Sequence, residues 1–260
     1  MRVTFLSNGH GEDAIGALLA REFHAQCPTL ALRAFPTVDE GGAYERAGVP
    51  VLGPRRVMPS GGFLFHSAEL FLADLRAGFL PMTLQQLRSL RQLDTDMLIV
   101  IGDVVALAMS ALVRSPARYY VQPLVSVHHA TPAAHRPNRL FMERFTGIER
   151  ALIRRLVKHT YVRDAPTATH LHALGLRQVS SLGNPMLAAH DPHARLPELG
   201  LRRPVVGMLP GTRRHAAASL TVMLQALASW PQAHGVVAWA GGMLPPLEVA
   251  GWCPQDAPEV

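Results

Sequence analysis

Short unbroken apolar runs alternate along the chain with a glycine or polar turn, then with a longer stretch in which apolar residues recur every third or fourth position. Runs of the first kind suit strands buried on both faces, and the longer spacing suits amphipathic helices. The repetition therefore predicts βα units on a parallel sheet. Strands are expected at residues 2–6, 30–35, 49–52, 97–101, 118–122 and 159–163. Helices are expected at 11–26, where Ile15, Leu18, Leu19 and Phe23 share a face, after Asp103, at 138–157 and at 166–174. Residues 64–93 keep a helical period with a break at Gly78-Phe79-Leu80-Pro81, since proline disfavours helix at the residue before it. The segment around Glu40-Gly41-Gly42 reads as a loop.

Near Pro185 the periodicity lapses, and residues 188–203, rich in His, Pro and Gly, read as a linker. A strand at 204–209, a helix at 214–230 and a strand at 235–240 then begin a second set of βα units. So short a remainder would leave a sheet edge and a helix face uncovered. The expected organisation is a Rossmann-like N-terminal domain over residues 1–187, the linker 188–203, and an incomplete second Rossmann-like domain over 204–260.

Composition narrows the setting. With 260 residues, 48% of them hydrophobic and 17% charged, the chain is an ordinary globular one with room for one or two cores. Cys27 and Cys253 are too few for a disulfide framework, so a reduced, cytoplasmic setting is expected. The apolar stretch 97–113 is divided by Asp103. Residues 216–247 carry no Asp, Glu, Lys or Arg but are broken at Trp230-Pro231 and His234-Gly235, leaving a helix short of the ~20 residues a span requires. The expectation is a protein that lies on a membrane or in solution without crossing one. Charge is unevenly placed: between His135 and Arg163 eight basic and two acidic residues give +6, equal to the net charge of the whole chain. Phe141, Phe145, Ile148, Leu152 and Leu156 recur there at helical spacing, so the basic side chains would stand opposite one apolar face. A helix over Arg139 to Lys158 is thus either a solvated cover for the core or a surface for anionic lipid; nucleic acid is disfavoured, with no recognition motif beside it. The aromatic-rich stretch from Gly61 to Met82 is core or the lining of an acyl groove.

Candidate chemistry sits in turns that follow strands, where open α/β sheets bind ligands. Ser7-Asn8-Gly9-His10-Gly11-Glu12-Asp13 joins the first strand to the first helix; its glycines let a ligand approach the backbone and its helix start offers free N–H groups. The spacing is neither the dinucleotide fingerprint nor a P-loop, and Glu12 and Asp13 would repel an anion, so the turn is either a capped helix start or a binding turn with His10 placed where such sheets bind ligands. Asp103, after Gly102 and the run Met97 to Ile101, is either a helix N-cap or a general base. Gly211, Thr212 and Arg213, in Leu209-Pro210-Gly211-Thr212-Arg213, are either a turn followed by a surface arginine or a diphosphate contact through the planar Arg fork. The thirteen histidines lack carboxylate or cysteine partners at ligand spacing, so no metal is expected.

In combination these residues resemble the lipid-A-disaccharide synthase-related branch of the lipid-A-disaccharide synthases. The resemblance is carried by the turn Ser7 to Asp13, Gly62-Phe63 through Leu75-Arg76-Ala77-Gly78, and Ile101-Gly102-Asp103. It continues in Tyr161-Val162-Arg163-Asp164 with Thr167, Leu174-Gly175, Gly183-Asn184-Pro185-Met186 and the turn Leu209 to Arg213. It implies a GT-B fold and an inverting glycosyltransferase that moves a sugar from a UDP donor to a lipid-linked acceptor at the inner face of the cytoplasmic membrane, with no cofactor beyond the nucleotide sugar. Asp103 would be the essential acid with His10 a rival base, and Arg213 would steady the leaving diphosphate. Asn8, Gly9, Gly11, Glu12, Asp13, Asn184, Gly211 and Thr212 would bind substrate. The family's second domain continues well beyond this length, so most of the donor site is expected to be missing. Two alternatives stay open: an inactive acceptor domain that binds lipid or a partner through its basic helix, and a nucleotide-sugar epimerase.

Overall fold

The computed structural model describes residues 1–38, 40–56, 76, 78–129, 144–189, 204–211 and 216–239. The chain divides into two compact units, Met1–Asp191 and Pro192–Val260.

The first unit is built on six parallel strands, β1 (Arg2–Ser7), β2 (Ala31–Pro36), β3 (Met97–Ile101), β4 (Arg118–Gln122), β5 (His159–Val162) and β6 (Val179–Ser180), in the order β2-β1-β3-β4-β5-β6. The register sets Ser7 beside Ile101, Ile101 beside Val121 and Val121 beside Tyr161, so the carboxyl ends of the four central strands lie level. Alternate residues feed two core layers. Val3, Phe5, Ile99, Ile101 and Val121 pack toward α1 (His10–Gln26) and α2 (Gly42–Arg46). Leu6, Leu98, Val100 and Tyr120 pack toward α3 (Phe79–Gln92), α4 (Val104–Ser110), α5 (Gly147–Leu156) and α6 (Ala165–Ala173) on the other face. Burial on both faces explains why these strands read as unbroken apolar runs.

Four expectations are revised. Residues 49–52 form only a bridge, Ala34 to Val51, because Pro50 has no N–H for a ladder and Gly53 (φ +82°) turns the chain away. The loop at Gly41 instead opens α2, which buries Tyr44 completely. α3 starts at Phe79 behind Gly78 (φ +90°), so Pro81 stands in the first turn, where its missing N–H costs nothing; residues 64–75 lie outside the described residues. α5 starts at Gly147, where the Glu149 N–H donates to Thr146 Oγ1 at 3.1 Å, and residues 138–143 lie outside the described residues. Its inward side is also different. Glu149 and Ile153 are fully buried and Ile148 is 66% exposed, so the stripe through Phe145 and Ile148 fails because Phe145 precedes the helix.

The second unit shows β7 (Val205–Met208), α7 (Ala216–Ala228) and β8 (His234–Val237), with β7 and β8 parallel and Met208, Leu220 and Leu224 forming a small core. Among the described residues no helix is long and apolar enough to cross a membrane.

Candidate functional site

The turns after β1 and β3 are neighbours because the two strands pair, and their side chains meet. Asn8 Nδ2 donates to Asp103 Oδ1 at 2.6 Å. The same Oδ1 accepts from the backbone N–H of Val105 at 2.8 Å and of Ala106 at 3.3 Å, which caps α4. Oδ2 takes part in none of these three bonds. The cap and a second role for the carboxylate are therefore compatible. Gly102 makes the approach possible: its φ of +141° suits only glycine, and a Cβ there would collide with Asn8 Oδ1. That amide oxygen is buried and has no hydrogen-bond partner among the described residues, because the Asn8 amide turns its donor toward Asp103.

The rest of the first turn divides between solvent and core. Gly9, in extended backbone, is the N-cap of α1 without a capping side chain, and a Cβ on it would strike Glu12 Oε2. His10 and Gly11 follow it and are exposed. Glu12 and Asp13, expected to bind substrate, are buried. Asp13 Oδ1 accepts from Ser7 Oγ at 2.6 Å, and Ser7 Oγ lies 3.0 Å from the Tyr44 hydroxyl. Burial pushes the Tyr44 phenol far above its ordinary value, with the charges of Asp13 and Glu12 reinforcing the shift and the Ser7 bond opposing it. Ser7 and Tyr44 were not legible as partners, since they come together only when α2 packs under α1.

Beneath Gly102 lies a second buried group that the sequence did not announce. Tyr120 Oη stands 3.1 Å from the Gly102 carbonyl oxygen and 2.8 Å from Glu149 Oε1. Gln122 Nε2 donates to the same carboxyl oxygen at 3.4 Å, while Gln122 Oε1 accepts from the N–H groups of Leu124 and Val125 at 2.8 and 3.0 Å, fixing which way the amide faces. Glu149 Oε2 is buried with no partner among the described residues. Burial pushes the Glu149 carboxyl up to about 7, against the bonds from Tyr120 and Gln122 and with help from the charge of Asp103. The sequence Thr146-x-x-Glu149 is a capping-box pattern, and only the Thr half of it is used as a cap.

Asn184 is elsewhere on this unit. It caps the short 3-10 turn Pro185–Ala189 by accepting from Met186 N at 3.1 Å, and it lines a cavity of about 460 Å³ with Leu19 and Phe23 of α1 and the β3, β4 and β5 face that carries Ile99, Tyr119 and Tyr161. Asn8 and Asp103 do not line it. On the basic helix, Arg154 Nη2 donates to the Leu174 carbonyl at 2.8 Å, at the end of α6, while Arg155 and Lys158 face solvent. Arg136 and Arg139 lie outside the described residues, as do Thr212, Arg213 and most of the aromatic-rich stretch. Gly211 (φ +89°) is described in the second unit and exposed. Among the described residues no group of three or more His, Cys, Asp or Glu is arranged to hold a metal.

No protein-family model matches the chain, and no curated protein matches it. Solved structures do. A Listeria monocytogenes protein assigned as a UDP-N-acetylglucosamine 2-epimerase aligns over 93% of this chain and 63% of its own, with TM-score 0.52 and 12% identity. MnaA of S. aureus, solved with UDP, aligns over 91% of this chain and 61% of its own with TM-score 0.52 and 12% identity. The calicheamicin glycosyltransferase CalG4 aligns over 97% of this chain and 71% of its own with TM-score 0.52 and 15% identity. The chain thus spans about three fifths of the length of the first two. At these identities the likeness is one of fold, and the fold is that of the GT-B proteins: α/β, with a parallel six-stranded sheet in the first unit.

Proposed function

We propose that the chain is the acceptor side and the start of the donor side of an inverting GT-B glycosyltransferase, with a UDP-sugar donor and a lipid-linked sugar acceptor. The observation that carries the reading is the Asn8–Asp103 pair at the level carboxyl ends of β1 and β3. One carboxylate oxygen is held by Asn8 and the helix cap, and the other takes part in neither. In the reaction proposed, that oxygen takes the proton of an acceptor hydroxyl as the hydroxyl attacks the anomeric carbon. The bond to the diphosphate then breaks on the opposite side and UDP leaves. No metal is required if positive groups and helix N-termini neutralise the departing diphosphate, a role the family resemblance gives to Arg213. A position at the cytoplasmic face of the membrane, through the basic segment around α5, belongs to the same proposal. The neighbours support a nucleotide sugar: one was solved with UDP and another is named as a glycosyltransferase.

The test is incubation with labelled UDP-N-acetylglucosamine and a lipid extract. Transfer moves label into the organic phase, and Asp103→Asn, which keeps a capping oxygen, should lower that rate about 10²–10⁴-fold with an unchanged circular dichroism spectrum. Wild-type turnover in the Asp103→Asn protein would overturn the assignment. One of the similar structures favours a second reading, since it is assigned as a UDP-N-acetylglucosamine 2-epimerase. An epimerase would convert the nucleotide sugar with no lipid present, a product that proton NMR of the same mixture identifies.

A further inference from the structure

The polar group beneath Gly102 can be settled by counting protons. A phenol has one. Tyr120 Oη is within hydrogen-bond distance of two oxygens, the Gly102 carbonyl at 3.1 Å and Glu149 Oε1 at 2.8 Å, and a carbonyl can only accept. Both contacts are hydrogen bonds only when Glu149 supplies the second proton. Gln122 cannot supply it to Tyr120, because its amide is held with the oxygen on Leu124 and Val125 and the NH₂ on Glu149. The surroundings favour the same state: Glu149 is fully buried and its Oε2 meets no donor among the described residues. Among the described residues, the titratable groups that bear on it are Tyr120 on β4 and Asp103 at the start of α4. α4 itself has none in Val104–Ser110, and Arg118, further along β4, is occupied by the carbonyls of Ser110, Val113 and Leu156.

We propose that Glu149 is a positioning residue for Asp103 that works as a neutral acid: its O–H donates to Tyr120, which leaves the phenolic proton for the Gly102 carbonyl and so holds the turn that carries Asp103. When Glu149 loses its proton to solvent, the phenolic proton turns to the carboxylate and the Gly102 carbonyl is released. The peptide that ends in the Asp103 N–H begins with that carbonyl, so the turn registers the change directly. Burial places the transition near neutral pH, at about 7. That Asp103 is the group in need of positioning rests on the proposed function; the relay itself does not.

The experiment is an NMR titration of the labelled full chain from about pH 5.5 to about 8.5, the span over which a displaced carboxyl ionises, following the Glu149 side-chain carboxyl carbon and the Asp103 amide. In the wild type the two should move with one midpoint. In Glu149→Gln, whose Nε2 stays a donor to Tyr120 at every pH, the Asp103 amide should hold its acid-side position throughout. In Tyr120→Phe the carboxyl should still titrate while the Asp103 amide ceases to follow. A wild-type Asp103 amide indifferent to Glu149, a carboxyl ionised across the whole range, or a Glu149→Gln curve identical to wild type overturns the proposal. So does an Asp103 amide that still follows in Tyr120→Phe. Should Glu149→Gln not fold, the wild type and Tyr120→Phe decide. No sugar donor or acceptor enters the measurement, so its failure and the failure of the transferase reading are separate results.

Discussion

Gly102 is the residue on which the site's geometry turns. Its φ of +141° and the Asn8 amide in the space of its missing Cβ are two separate demands for glycine. Gly102→Ala should therefore cost about 1–3 kcal/mol of stability, measured by urea unfolding, and should break the Asn8–Asp103 bond. Glu149 gives a second prediction at this scale, with the sign opposite to that of an ordinary paired acid. Its folded carboxyl lies above the unfolded value of 4.5, at about 7, so the folded state holds the proton more tightly. The stability it contributes is complete below the unfolded value, declines as pH rises between the two, and is gone above the folded value. Urea unfolding of wild type and Glu149→Gln across that interval should show the wild type alone losing stability through this group. A parallel pair of curves would mean that Glu149 is ionised in the folded chain. Legibility differs among these residues for a physical reason. Gly102 and Asp103 are adjacent in sequence and mark a strand-to-helix turn by themselves. Tyr120 and Glu149 are ordinary strand and helix residues until the packing of α5 on the sheet brings them together.

Three helices, α4, α5 and α6, start at side-chain caps, which makes those starts separately testable. Thr146 accepts from Glu149 N at α5, and Asp164 Oδ1 accepts from Thr167 N at 2.8 Å at α6. Thr146→Ala should cost about 1 kcal/mol by thermal or urea unfolding. At Asp164 burial works against ionisation, but the bonds from Thr167 and Ser126 and the charge of His128 leave its carboxyl below the ordinary value. Its contribution is therefore present above the unfolded value and lost as pH falls through the folded one, and Asp164→Asn should weaken that acid-side loss. The strands were legible because burial on both faces leaves an unbroken apolar run; β3 and β4 have the bounds expected of them. α2 and β6 were not, since five and two residues are too few for periodicity to register. α5 differs from expectation in its start because Phe145, counted in the apolar stripe, precedes the helix, and in its inward side because the inward residue Glu149 is polar.

At the scale of the molecule, Met1–Asp191 has its own sheet and a core on each face of it. We expect a fragment ending at Asp191 to unfold in urea in one cooperative step, with Glu149 titrating as in the full chain; a broad or absent transition would show that the second unit is needed. The ends of the six-stranded sheet also have a bearing on how the protein behaves at high concentration. Unpaired strand edges are templates on which a second chain can add a strand. Here one edge, β6, offers only Val179 and Ser180, and the other, β2, has its Ala34 backbone groups already taken by Pro50 and Leu52. Brevity on one side and a tethered loop on the other leave little ladder for a foreign strand to extend, so this unit should resist edge-to-edge association without the charged gatekeepers that longer edges need.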